Sequence, residues 1–201
     1  MRRLAGALAA ASLAGCAGQP AAAPSPAVAA PSVPVTMADG PVALANAGFD
    51  VISGAGANCP PAWECTAHVN SAAFTFAVVT DPSTGNRFLR VSRVKPEPWA
   101  LVTRTLPGKG LAGKRLSLAF RLNTENVQGQ AGPVIMLQGP DGRVVAHRQV
   151  LEAPAKGWRT ARAEIDVPAG VHLVEFGILL EGGGAVDADD ASLEVVTPRP
   201  S

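Results

Sequence analysis

Residues 115 to 123 constrain the fold more than any other stretch. Leu116, Leu118, Phe120 and Leu122 share one parity, and Arg115, Ser117, Ala119, Arg121 and Asn123 share the other. A period of two with one apolar and one polar face marks a half-buried strand, and such a strand needs a second layer to cover its apolar side. The same rhythm recurs in short runs between turn residues, at 74–79, 88–94, 99–106, 134–138, 144–150, 158–167, 172–180 and 192–196. In the 172–180 run Val174, Phe176, Ile178 and Leu180 form the apolar face, and Pro140-Asp141-Gly142 is a strong turn signal. No stretch keeps a helical period with caps. The 21 Gly and 18 Pro fit a turn-rich fold, and 47% hydrophobic against 16% charged residues excludes disorder throughout. The pattern predicts an all-β sandwich of jelly-roll type with about 8 to 10 antiparallel strands. The domain spans residues 42–197, and 198–201 form a short tail.

With 17 Lys and Arg against 16 Asp and Glu, the net charge is +1. No basic surface is available for nucleic acid. The N-terminus begins Met1-Arg2-Arg3 and continues as an apolar run from Leu4 to Gly15 broken only by Ser12. A basic start and a short apolar stretch describe a secretory signal peptide over 1–15, too short for a permanent span of about 20 apolar residues. The segment ends in Leu13-Ala14-Gly15-Cys16, which resembles a bacterial lipobox. That resemblance implies that Cys16 is acylated, palmitate being one such chain, and becomes the mature N-terminus. Two or three acyl chains would then hold the protein stably on membrane lipid. Ala17, where Asp is absent, resembles proteins sorted to the outer membrane in a Gram-negative host. Residues 16–41 carry almost no charge, and Pro20, Pro24, Pro26, Pro31 and Pro34 exclude a helix. They read as an extended, disordered tether between membrane and domain.

With Cys16 carrying lipid, Cys59 and Cys65 remain in an oxidising compartment and are expected to form a disulfide. Two free thiols are one alternative. A zinc site is the other, and it lacks ligands, since only His68 lies near. The loop that the bridge closes is short, so the gain is about 2 kcal/mol and the bridge shapes the loop more than it holds the domain.

The ends and middle of the domain resemble carbohydrate-binding modules of the galactose-binding-like jelly-roll superfamily. The residues that carry this are Asn46-Ala47-Gly48-Phe49-Asp50, the stretches 99–106 and 111–118, Gly157-Trp158-Arg159, the stretches 165–169 and 174–182, and the closing 189–194. The resemblance implies a non-catalytic module that binds glycan, polysaccharide or peptidoglycan, with Trp158 in the core. It also implies a structural calcium held between the first and last strands, for which Asp50 and Asp190 are the candidates by position, against a solvated acidic turn. Arg104 stands where related modules carry a polar groove residue.

Read from the residues themselves, the aromatics available to stack on a sugar are few. Trp63, in the cysteine loop, and Trp99 are candidates, against a plug of its own loop for Trp63 and a core or sheet-edge residue for Trp99. Arg121 and Asn123 project together from the polar face of one strand, where they can hydrogen-bond hydroxyls or a carboxylate if that face is concave. Chemistry is harder to build. Residues 108–115 nearly spell a phosphate loop, but Arg115 stands where the hydroxyl belongs and a strand follows. His68, His147 and His172 are scattered, with no nucleophile elbow and no zinc-protease helix. Glu175 and Glu181 share a strand face and are the only carboxylate pair to weigh for glycoside hydrolysis. The expectation is a non-enzymatic envelope lipoprotein whose domain lies outside the cytoplasm and binds glycan. The alternative is a structural or assembly lipoprotein whose sandwich binds another envelope protein.

Overall fold

The computed structural model of the chain describes residues 37–52, 59–150 and 157–198. The signal segment 1–15, Cys16, the tether up to residue 36 and the tail from 199 lie outside the described residues.

The alternating runs form strands at nearly the predicted places. They are β1 (Gly40–Pro41), β2 (Glu64–Ala67), β3 (Phe74–Thr80), β4 (Arg87–Arg93), β5 (Trp99–Pro107), β6 (Arg115–Glu125), β7 (Gln130–Gln138), β8 (Val144–Gln149), β9 (Arg159–Asp166), β10 (Leu173–Glu181) and β11 (Ala185–Val196). One short 3-10 turn, Ser71–Ala73, precedes β3 and is capped by the Asn70 side chain. The strands make two antiparallel sheets. Sheet A runs β3-β4-β11-β6-β9, with β1 also paired to β11, and sheet B runs β2-β5-β10-β7-β8. This is the predicted β-sandwich of jelly-roll type. Sheet A begins at Gly40, two residues before the predicted boundary, because Gly40 and Pro41 pair with Val195 and Glu194. Asp39 secures the same edge by accepting from Lys114 Nζ at 2.7 Å and from the Thr197 backbone N–H at 3.0 Å.

The two apolar faces meet as the alternation requires. Leu116, Leu118, Phe120 and Leu122 of β6 and Val174, Phe176, Ile178 and Leu180 of β10 belong to one buried cluster. Within sheet B two neighbouring strands also approach closely at one point. A Cβ on Gly177 of β10 would run into the carbonyl oxygen of Val102 on β5, so only glycine fits there.

The cysteines form the expected disulfide, Cys59–Cys65. The loop that they close delivers Trp63 into the core, where it is only 6% exposed. Its ring packs 5.0 Å from that of Phe49 and 6.1 Å from that of Phe120. Its indole N–H donates to the Asn46 carbonyl at 3.1 Å, so the one polar atom of a buried indole is satisfied. Asn46 in turn donates from Nδ2 to the Pro61 carbonyl at 3.1 Å and accepts from the Val51 N–H at 3.0 Å. Trp63 is therefore the plug of its loop and not a ligand-stacking residue, which corrects that expectation. Trp63→Ala should cost about 3 to 5 kcal/mol through the cavity it leaves, read as a lowered midpoint of chemical denaturation. A variant with an unchanged midpoint would show that the ring is not packed as described.

Candidate functional site

The structure distributes the predicted ligand residues over three places. Trp63 lies in the core. Arg104 shares the parity of Ala100 and Val102 and so points between the sheets, with its guanidinium 5.6 Å over the Trp63 ring and Nη1 donating to the Ala45 carbonyl at 2.6 Å. It braces the plug, and its Nη1 is directed at the protein. Trp99 stands on the outer face of sheet B, and Arg121 and Asn123 stand on the outer face of sheet A. Arg104 therefore shares no groove with Arg121 and Asn123, since β5 and β6 belong to different sheets.

On the outer face of sheet B the register sets side chains in rows across the strands. Trp99, Glu181 and Gln130 align at one end, followed by Thr66, Leu101, Leu179 and Gly132. Beyond them lie Glu64, Thr103, Gly177, Val134 and Gln149, then Thr105, Glu175, Met136 and His147. Thr103, Val134 and Leu179 are buried although none belongs to the core cluster. Around this apolar floor Trp99, Leu101, Met136, Glu175 and Glu181 are half-buried, while Glu64, Thr66, Thr105, Gln130, His147 and Gln149 are exposed. An apolar floor with a polar rim is the composition of a ligand-binding face. Glu175 is held in place by Thr103 Oγ1 and Gln138 Nε2, each donating at 3.0 Å to a different carboxylate oxygen. Trp99 is braced edge-on by His68, with ring centroids 5.7 Å apart, and His68 Nδ1 lies 3.4 Å from Glu97.

Glu175 and Glu181 are too far apart to act as a hydrolytic pair. They are six residues apart on one strand, about 20 Å at the ordinary strand rise. Glycosidase pairs stand about 5 to 9.5 Å apart.

The outer face of sheet A is ionic. Arg90 grips Asp187 through Nε at 2.7 Å and Nη2 at 2.9 Å, and Asn123 Nδ2 adds a third donor at 3.0 Å. Asp187 is only 2% exposed, and its carboxylate holds the Arg90 guanidinium further above its usual range. Asn123 also accepts from the Gly157 N–H at 3.1 Å. Arg121 donates to Asp190 at 2.9 Å and lies 5.1 Å over the ring of Trp158. Trp158 is thus half-exposed on this face and not in the core, a second correction. The period-two pattern carried the signal, since Trp158 shares parity with the exposed Thr160, Arg162 and Glu164.

The carboxylate beside Asp50 is that of Asp189, not Asp190. A Cβ on Gly48 would stand 2.9 Å from Asp50 Oδ2 and 3.8 Å from Asp189 Oδ1, so both acids border a space that glycine leaves open. Asp190 has a left-handed φ of 50° and turns outward to Arg121. Among the described residues no three His, Cys, Asp or Glu side chains gather around a common point. Calcium between Asp50 and Asp189 would take the rest of its six to eight oxygens from backbone carbonyls and water. Asp189 is 3% exposed, and burial pushes its carboxyl above the usual range, against the bonds from Asn86 Nδ2 at 2.9 Å and the Asp190 N–H at 2.8 Å that favour the anion. A raised folded-state value means that the stability tied to this group is complete at acid pH and is lost as pH rises. In chelator, the wild type should therefore gain stability relative to Asp189→Asn as pH falls from about 7 to 4. A constant gap between the two denaturation curves would show no such shift.

No family model matches this chain, and no curated protein is similar to it. Solved structures are. The CBM22-1 xylan-binding domain of Paenibacillus barcinonensis Xyn10C aligns at 12% identity with a TM-score of 0.53, covering 76% of this chain and 93% of that one. The CBM22-1–CBM22-2 tandem domain of the same protein aligns at 13% identity with a TM-score of 0.58, covering 83% of this chain and 48% of that one. The enzymatically active domain of tailspike protein 4 from bacteriophage CBA120 aligns at 14% identity with a TM-score of 0.52, covering 68% of this chain and 20% of that one. The chain therefore spans a fifth of the tailspike domain and nearly all of the single xylan-binding domain. At these identities the likeness is one of fold: the chain is built as the β-sandwich of carbohydrate-binding modules is built.

Proposed function

We propose that this protein is a lipid-anchored component of a bacterial envelope whose sandwich binds a polysaccharide on the outer face of sheet B and does not cleave it. The observation that carries the reading is the apolar floor of Leu101, Val134 and Leu179, with half-exposed Trp99 at one end and the oriented Glu175 carboxylate beyond it. Carbon-bound faces of sugar rings pack on such a floor and on an indole, while rim carboxylates and amides accept and donate to hydroxyls. The shared fold with a xylan-binding domain supports a glycan as partner. Attachment through an acylated Cys16, and an envelope location with the domain outside the cytoplasm, rest on the lipobox resemblance of Leu13-Ala14-Gly15-Cys16.

A second reading, an assembly role on another envelope protein, is favoured by the edge of sheet B. Strand β8 is unpaired on one side among the described residues, and Val144 and Val145 on it are 50% and 55% exposed. An edge strand of this kind can accept a strand from a partner.

The two readings separate in one titration of the full-length chain with xylan, β-1,4-galactan and peptidoglycan. Trp99→Ala should weaken binding about tenfold or more, with its melting temperature unchanged. Equal affinity for wild type and variant, or no binding by either, would overturn the reading. Calcium is a separate proposal for the Asp50–Asp189 pair. Millimolar calcium should raise the melting temperature of the wild type and leave Asp50→Asn unmoved. An equal response of both proteins, or none in either, would remove the site.

A further inference from the structure

We infer that the outer face of sheet A carries a second binding site, sized for a single neutral sugar ring. The site goes beyond the reading above, because it lies on the opposite sheet and shares no residue with the face that carries Trp99.

A pocket of about 290 Å³ opens on sheet A, lined by Asp81, Thr84, Asn86, Phe88, Arg121 and Trp158. One wall is aromatic. Trp158 meets Phe88 edge to face, with centroids 5.3 Å apart and planes at 76°. The opposite wall is the β3–β4 turn, and its own hydrogen bonds hold it in shape. Asp81 accepts from the Ser83 N–H at 2.8 Å and from Ser83 Oγ at 2.6 Å, and Gly85 N–H donates to the Asp81 carbonyl at 2.8 Å. Asn86 closes the turn onto the sheet by donating from Nδ2 to Asp189 at 2.9 Å. The walls are therefore formed before any ligand arrives, which lowers the cost of binding.

Three properties of the pocket restrict its occupant. Its volume lies at the low end for small-molecule sites, so it admits one ring and not an extended chain. Its ionic groups are engaged: Arg121 is 2.9 Å from Asp190 and 3.9 Å from Asp189, so an anion must displace a resident partner, and Asp81 Oδ1 already accepts two bonds from Ser83. Its lining joins ring faces and edges to planar carboxylate, amide and guanidinium groups. A ligand that satisfies both needs an apolar face and a circumference of hydroxyls, which is the chemistry of a neutral pyranose.

The test observes the indole N–H resonances of the three tryptophans in the full-length chain by nitrogen-correlated NMR. The probes are the methyl glycosides of xylose, galactose, glucose and N-acetylglucosamine at millimolar concentration. At least one should move the Trp158 resonance saturably while that of buried Trp63 stays fixed. Trp158→Leu keeps an apolar contact for Phe88, and Arg121→Gln leaves the aromatic wall intact. Each should weaken binding of that glycoside about tenfold, with the melting temperature as the check on folding. A static Trp158 resonance with all four sugars overturns the site, whatever Trp99 does. So does unchanged affinity in Arg121→Gln. A Trp158 response without any at Trp99 upholds this site and counts against the polysaccharide face on sheet B, so the two failures are distinct.

Discussion

Between Asp189 and Ser192 the register of β11 against β6 slips by one, so that Asp190 and Ala191 of β11 together face the single Phe120 of β6. Such a bulge bends its strand and leaves backbone donors without ladder partners. Here the donors are taken up locally: the Ala191 N–H donates to the Ala47 carbonyl at 3.0 Å, and the Asp190 N–H to the Asp189 carboxylate at 2.8 Å. The first bond ties the Asn46–Asp50 loop to the central strand of sheet A. The second holds the Asp189 carboxylate beside that loop. Asp190, at a left-handed φ that Asp tolerates better than most residues, then points outward to Arg121. β11 also pairs with β4, β6 and β1, so a shift of this one strand would move most of sheet A.

The same bulge explains why two adjacent aspartates differ in chemistry. Asp189 is desolvated and its carboxyl is pushed up; Asp190 is exposed beside a guanidinium. Asp187, also buried, is instead held by Arg90 and Asn123, which supply three charge-assisted or polar donors to its two oxygens. A buried ion pair of this quality is weak evidence of added stability, since desolvation offsets much of the attraction. What it does fix is register. A slip of β4 by one residue would turn Arg90 to the core and leave Asp187 buried without a counter-charge.

Much of this architecture was legible because period two is a backbone property that survives without an alignment. β3 to β10 appear where apolar residues alternate, and the polar parity of Arg121 and Asn123 put them correctly on an outward face. The first half of β11 was not read as a strand, because Val186-Asp187-Ala188-Asp189 alternates small apolar residues with acids, a pattern that also describes a solvated turn. The two misplaced tryptophans show where the signal ends. Trp158 was readable from its parity with Thr160, Arg162 and Glu164. Trp63 was not, because it lies in a turn-rich loop with no period, and its destination depends on Asn46 and Phe49 meeting it in space. Arg104 was readable again: its parity with Ala100 and Val102 puts it on the apolar side, where its guanidinium is accommodated over the Trp63 indole.

Sheet B differs from sheet A in how its polar groups are used, and the proposed polysaccharide face follows from that difference. On sheet A, Arg90, Asn123 and Arg121 each direct donors at acids of the same face, so most of that surface's hydrogen-bonding capacity is spent within the protein. On sheet B, the polar groups that interact with one another gather round Glu175, and Glu64, Thr66, Gln130, His147 and Gln149 stand exposed around an apolar floor. An extended ligand gains from a surface in proportion to the apolar area it covers and the polar groups it can satisfy without unpairing others. By that criterion the proposed polysaccharide is assigned to sheet B. Sheet A offers the small pocket beside Trp158, walled by residues of the loop 81–86.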